Sequence, residues 1–145
     1  MKEDEIKKKK ILLVEDNQVV RLYFSDIFWI HGLGDKYELK TCDSVEQAQK
    51  IIDDVEIRPD IIFSGLVMPM IKDDKVEVTA EAGLSLIKKI KSNPELKKIK
   101  VIIFSGYDQK KNRDSVRMAG ADAFLVKHEN MPTELVAFIE KLDTI

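Results

Sequence analysis

A doubly wound α/β fold, with a five-stranded parallel sheet covered by helices on both faces, is what the sequence predicts. Three observations carry it. Short runs rich in β-branched and aromatic residues alternate with longer segments of helical period. Ile11–Val14 and Val101–Phe104 are apolar at every position, the mark of strands buried on both sides. Strand and helix alternate five times, which calls for right-handed crossovers between parallel strands.

The elements follow in order. Met1 to Lys9 is almost entirely charged and reads as a frayed tail, residues 1–9. Its lysine run, Lys7 to Lys10, is read as a solvated lead-in, with a basic patch for an acidic partner as the alternative. The remainder, 10–145, reads as one domain. After the first strand, apolar residues recur with helical spacing from Val19 to Ile30, and Gly32 and Gly34 end that helix. Tyr37 to Cys42 reads as the second strand. Asp43 or Ser44 caps a helix reaching about Val55. Pro59 precedes the third strand, Asp60 to Ser64. Leu84, Leu86, Ile87 and Ile90 mark a helix over Gly83 to Lys91, stopped by Asn93-Pro94. The fourth strand, Val101 to Phe104, leads to a polar helix from Gln109 to Ala119, ended by Gly120. Ala121 to Val126 is the fifth strand, and Pro132 opens the last helix. One stretch breaks the rhythm: residues 70–82 read as an inserted loop, longer than the usual strand-to-helix connection of about two to six residues. Within it Lys75 to Thr79 alternates polar and apolar, so a small β excursion fits there.

Composition removes several classes. With 145 residues, 44% hydrophobic and 34% charged, the chain has enough apolar content for a globular core. A net charge of −2 gives no global pull toward nucleic acid or membrane. No apolar run approaches the roughly 20 residues of a membrane span, and no signal peptide is legible. The lone Cys42 fits a reducing cytoplasm, and one cysteine with two histidines (His31 and His128, read as surface residues) makes no Cys/His zinc cluster.

In an open parallel sheet, ligands bind beyond the carboxyl ends of the strands. Those ends carry Glu15-Asp16-Asn17, Ser64-Gly65-Leu66, Ser105-Gly106 and Lys127-His128. Two carboxylates, a hydroxyl and an ammonium converge there. Paired carboxylates suit Mg²⁺, and a hydroxyl with a lysine suits phosphoryl oxygens.

Ile11-Leu12-Leu13-Val14-Glu15-Asp16-Asn17, the segment Pro59 to Pro69, Val101 to Gly106 and Gly120 to Lys127 together resemble the receiver domain of two-component response regulators. The likeness runs from about residue 9 to the end. It implies a flavodoxin-like fold. It also implies Glu15, Asp16 and the Val67 backbone carbonyl as Mg²⁺ ligands, Ser105 and Lys127 as phosphoryl contacts, and Phe124 as a switch aromatic, although Phe124 reads equally well as core.

The family's phosphoacceptor aspartate stands four residues before the proline of the third motif, and that position here is Gly65. Glycine has no nucleophile. Ser64 points to the opposite face of the strand. Asp60 lies at the strand's other end. Asp73 and Asp74 lie in the inserted loop, from which one would have to swing in. Mg²⁺ binding is expected to weaken, since one carboxylate is gone. Lys127 is left facing only Glu15 and Asp16. A further departure is His128, where the family usually has proline; a trans bond is expected there, because a cis bond without proline costs about 2.5–4 kcal/mol. The insertion is about ten residues longer than the family's usual connection.

The expected function is therefore that of a receiver acting by protein–protein contact without phosphorylation, not an enzyme. Two alternatives stay open: an ordinary phosphorylated receiver in which glycine has replaced the acceptor, and a flavin-binding flavodoxin-like protein, against which the acidic turn after the first strand argues. Expected partners are a sensor histidine kinase or a downstream signalling protein, with neither nucleic acid nor membrane. A homodimer through the fourth helix, fifth strand and fifth helix is a further expectation. Because the chain ends within a few residues of the last helix, output is expected through partners or a larger parent protein.

Overall fold

A computed structural model describes residues 7–106, 110–127 and 133–142. Seven strands and five α-helices follow in order: β1 (Lys9–Val14), α1 (Gln18–Ile30), β2 (Tyr37–Cys42), α2 (Val45–Asp53), β3 (Ile61–Ser64), β4 (Met68–Lys72), β5 (Lys75–Thr79), α3 (Glu81–Lys91), β6 (Lys100–Ser105), α4 (Lys110–Ala119), β7 (Ala123–Val126) and α5 (Thr133–Glu140). A 3-10 turn, Leu33–Asp35, connects α1 to β2.

Five strands form the expected parallel sheet in the order β2-β1-β3-β6-β7. The chain moves outward from β1 to β2, then returns to β3 on the other side of β1. The switch in strand order therefore falls between the carboxyl ends of β1 and β3. Period-2 alternation divides the core. Leu12, Val14 and Ile62 face one cluster with residues of α2, α3 and α4. Ile11, Leu13, Phe63 and Phe104 face a second with residues of α1 and α5. Phe24 of α1 anchors the second, edge-on to Phe63 at 5.3 Å and to Phe104 at 5.8 Å.

Local chemistry sets the helix starts. Asn17 caps α1, its side-chain oxygen accepting from the N–H groups of Val19 and Val20 at 2.9 and 3.2 Å. Ser44, rather than Asp43, caps α2 through the Gln47 N–H. Gly32, at φ +71°, ends the first helix in the left-handed conformation.

The structure departs from the sequence reading in four places. β1 begins at Lys9, inside the segment expected to fray, because its ladder with β2 already pairs Lys9 with Tyr37. α2 stops at Asp53 rather than near Val55, which is left exposed. The segment expected as an inserted loop is mostly an antiparallel hairpin, β4 with β5, whose pairs run from Met68↔Thr79 to Lys72↔Lys75. Lys75 to Thr79 is the suspected β excursion, and its partner strand starts back at Met68. The turn residues Asp73 and Asp74 take φ of 51° and 64°, left-handed values that match a two-residue hairpin turn. α3 then starts at Glu81, two residues before the expected Gly83, and the Lys72–Glu81 ion pair at 2.9 Å ties the hairpin to it. Gln109, His128 and Pro132 lie outside the described residues, and with them the expectation for the bond after Lys127.

Candidate functional site at the carboxyl edge of the sheet

Register builds the site. β1 and β3 are aligned with Val14 opposite Ser64, so one step further Glu15 stands beside Gly65. Backbone bonds carry the ladder past both strands: Glu15 N–H donates to Cys42 O at 3.0 Å and Gly65 N–H to Val14 O at 2.9 Å. On the far side Ser105 pairs with Val126, and Lys127 N–H donates to Ser105 O at 2.9 Å.

The side chains then separate into those that meet and those that do not. Glu15 is 1% exposed, although it is a carboxylate. Its Oε1 takes the Lys127 ammonium at 2.5 Å, and no other partner reaches that oxygen among the described residues. Its Oε2 accepts from the Asn17 N–H at 3.0 Å. Its backbone carbonyl accepts from Arg21 Nη1 at 2.7 Å. A buried carboxylate needs such compensation, because desolvation otherwise costs several kcal/mol. Lys127 reaches in with its apolar stem, and its ammonium lies 5.9 Å from the Phe104 ring centre.

Gly65 is buried, with a backbone outside the left-handed region. A Cβ placed on it would lie 3.7 Å from Glu15 Oε1. Position 65 therefore opens onto the Glu15–Lys127 pair. The same Cβ would meet the Met68 sulfur at 2.9 Å and its Cγ at 3.1 Å. Met68 is fully buried and fills this space.

Other expected residues sit as follows. Asp16 is exposed, one residue beyond the buried pair. Ser105 is buried at the end of β6. Val67 is half-buried against the α2–α3–α4 side of the core. Phe124 is also half-buried there, with the Arg113 guanidinium 5.6 Å from its ring centre. Ser64 is buried, its hydroxyl donating to Gly65 O at 2.8 Å. Asp60 is at the opposite end of β3, accepting from Lys10 N–H at 2.8 Å. Asp73 and Asp74 form the exposed hairpin turn, about 16 Å along β4 from Met68.

Mg²⁺ would need Glu15 and Asp16 together with a carbonyl at Val67. Both Glu15 oxygens are already engaged, and position 65 supplies no carboxylate. Among the described residues no three His, Cys, Asp or Glu side chains converge. Asp16 is the exposed carboxylate beside this engaged pair.

Sequence reasoning missed three residues that shape the site. Met68 packs into the space that a side chain at position 65 would take. Asn17 fixes one oxygen of Glu15. Gly83 lets α3 approach the β3 end: its N–H donates to Leu66 O at 3.0 Å, and a Cβ there would stand 2.7 Å from Gly65 O. For Gly83 the signal was a glycine inside an apolar helical pattern, which often marks close packing.

This arrangement of sheet, switch point and acidic strand end defines a class of signalling module. The family model described as "Response regulator receiver domain" matches residues 11–140, and the chain belongs to that family. Among curated proteins it is 27% identical over 135 residues to the polar-differentiation response regulator DivK of Brucella anthropi, covering 92% of this chain and 93% of the relative. Solved structures share the fold. The phosphorylated cyanobacterial phytochrome response regulator RcpA superposes with TM-score 0.72 at 22% identity, covering 93% of each chain. The chemotaxis response regulator CheY4 of Vibrio cholerae gives 0.73 at 20% identity, covering 93% of this chain and 98% of its own. The chain is thus a flavodoxin-like receiver domain of two-component signalling. Receivers as a class interact with histidine kinases and downstream partners.

Proposed function

We propose that this receiver works by protein–protein contact and takes no aspartyl phosphate at residue 65. The observation that carries the reading is Gly65 facing the Glu15–Lys127 pair, with the Met68 side chain in the space an acceptor would need. In this reading Glu15 and Lys127 neutralise each other, and the pocket holds one conformation without a phosphoryl group. Ser105 at the end of β6 and Phe124 within β7 have no phosphoryl switch to answer, and Mg²⁺ binds weakly through Glu15, Asp16 and the Val67 carbonyl. Residues 10–145, with Lys9 added as the first residue of β1, act as one non-enzymatic unit behind the charged residues 1–8.

A surface for such contact lies on α1. Val19, Leu22, Tyr23, Trp29 and Ile30 are 73, 57, 45, 76 and 78% exposed. They recur at helical spacing opposite the buried Phe24, Ile27 and Phe28. An apolar stripe left in water gains most by being covered. The α4–β7–α5 face, with Met118 85% exposed on α4, is a second candidate and the one through which a homodimer would form. Partners are a sensor histidine kinase or a downstream signalling protein.

The test is incubation with acetyl phosphate and Mg²⁺, followed by intact mass. No phosphoryl adduct is expected. A stable adduct whose site maps to this pocket overturns the reading.

A further inference from the structure

We propose that the opposite, amino-terminal edge of the sheet is a second binding surface: a cationic groove for an extended acidic peptide segment with interspersed apolar side chains. The groove, of ≈ 720 Å³, lies where β1, β3 and β6 begin. β1 alone, at about 3.3 Å per residue, puts roughly 20 Å between it and Glu15. The inference is therefore independent of what happens at residue 65.

Charge is the first argument. The run Lys7–Lys10 lines the groove, joined by Arg58, Lys98 and Lys100, against two carboxylates, Asp60 and Glu95. The chain as a whole carries −2, so this cluster runs against the rest of the molecule. Three of these cations rest on backbone carbonyls. Lys8 Nζ donates to Gly34 O at 2.8 Å, Lys10 Nζ to Glu56 O at 2.7 Å and Arg58 Nε to Ile52 O at 2.7 Å. A carbonyl orients a cation but leaves its charge whole. Asp60 is occupied by the Lys10 backbone N–H at 2.8 Å. Concave clusters of one sign raise the local concentration of the opposite sign and guide its approach.

Shape and lining select the partner. Val55, 74% exposed, is the open apolar contact among the cations, while Ile61, Ile99 and Leu142 floor the groove as buried core residues. An extended chain presents alternate side chains to opposite sides, so acidic and apolar residues in alternation match this mixture. Among the described residues, no aromatic side chain lines the groove to stack a nucleic-acid base. A bilayer surface favours an amphipathic face that can sink into it, which a concave groove does not offer.

The test uses the whole chain and a fluorescein-labelled peptide of alternating Glu and Leu, read by anisotropy. The peptide should bind, and its Gln-for-Glu counterpart should not. Raising salt from about 0.05 to 0.3 M should weaken binding roughly tenfold. Lys7→Glu with Lys98→Glu, both exposed positions, should weaken it by about the same factor with an unchanged circular dichroism melt. The neutral pair Lys7→Gln with Lys98→Gln should give a smaller loss. Failure of the acidic peptide to bind overturns the proposal, as does binding indifferent to the charge reversals. Tighter binding of a single-stranded oligonucleotide, or of phosphatidylserine vesicles, than of the peptide overturns it too.

Discussion

The Met68 sulfur lies 2.9 Å from the point where a side chain on Gly65 would begin, closer than two such atoms can stand. The space beside Gly65 is thus already filled by a buried, unbranched side chain that adapts to irregular space. Placing a carboxylate there requires the Met68 side chain to shift.

Gly65→Asp should therefore lower stability by about 1–3 kcal/mol, through overpacking and a second carboxylate beside buried Glu15. Mg²⁺ should return part of that loss, because it binds the folded variant more tightly than the parent. Urea unfolding with and without Mg²⁺ measures both effects. Beryllium fluoride binding to the variant would mark the remainder of the pocket as competent, and would favour the view that glycine replaced the acceptor in an otherwise ordinary receiver. Adding Met68→Ala should relieve the crowding at position 65.

Among the described residues, Lys127 is the one partner of Glu15 Oε1. Lys127→Met should cost roughly 2–4 kcal/mol, because a buried carboxylate is left without its cation. Glu15→Gln combined with Lys127→Met should recover much of the loss, since neither charge remains to be buried. A double-mutant cycle by chemical denaturation reads the coupling directly. Additive single effects would show that the pair is not energetically linked.

Gly83→Ala should reverse the usual sign for a helix interior. Ordinarily the change stabilises by about 1 kcal/mol. Here the new Cβ would stand 2.7 Å from Gly65 O and 2.8 Å from Leu66 Cα, backbone atoms that cannot swing aside. α3 must back away from β3, and a net loss of about 2 kcal/mol or more is expected in a thermal or urea melt.

Burial pushes the Cys42 thiol up from 9.0 to about 11. Its folded value lies above its unfolded one, so its contribution is full below about pH 9 and is lost as pH rises through about 11. The parent should lose stability more steeply than Cys42→Ala between those limits, by roughly 2 kcal/mol in total. At pH 8 the folded chain should react with a thiol reagent far more slowly than the urea-unfolded chain.

Sequence alone determined the architecture. The strand runs, their alternation with helical segments and the capping residues sufficed to place the five-stranded sheet, because burial on both faces leaves a pattern along the chain. It also brought Glu15, Ser105 and Lys127 to one edge, since parallel strands put their carboxyl ends together. What it could not supply was which atoms touch. The hairpin partner of Lys75–Thr79 begins with Met68 and Pro69, residues without a strand pattern of their own; cross-strand pairing with a tight turn decided it. The Glu15–Lys127 bond, the Met68 sulfur in the space beside Gly65 and the close approach of Gly83 all join residues far apart in sequence or pointing in directions that no periodicity encodes. Only packing in three dimensions decides them, because each is set by which neighbour reaches the same small volume first.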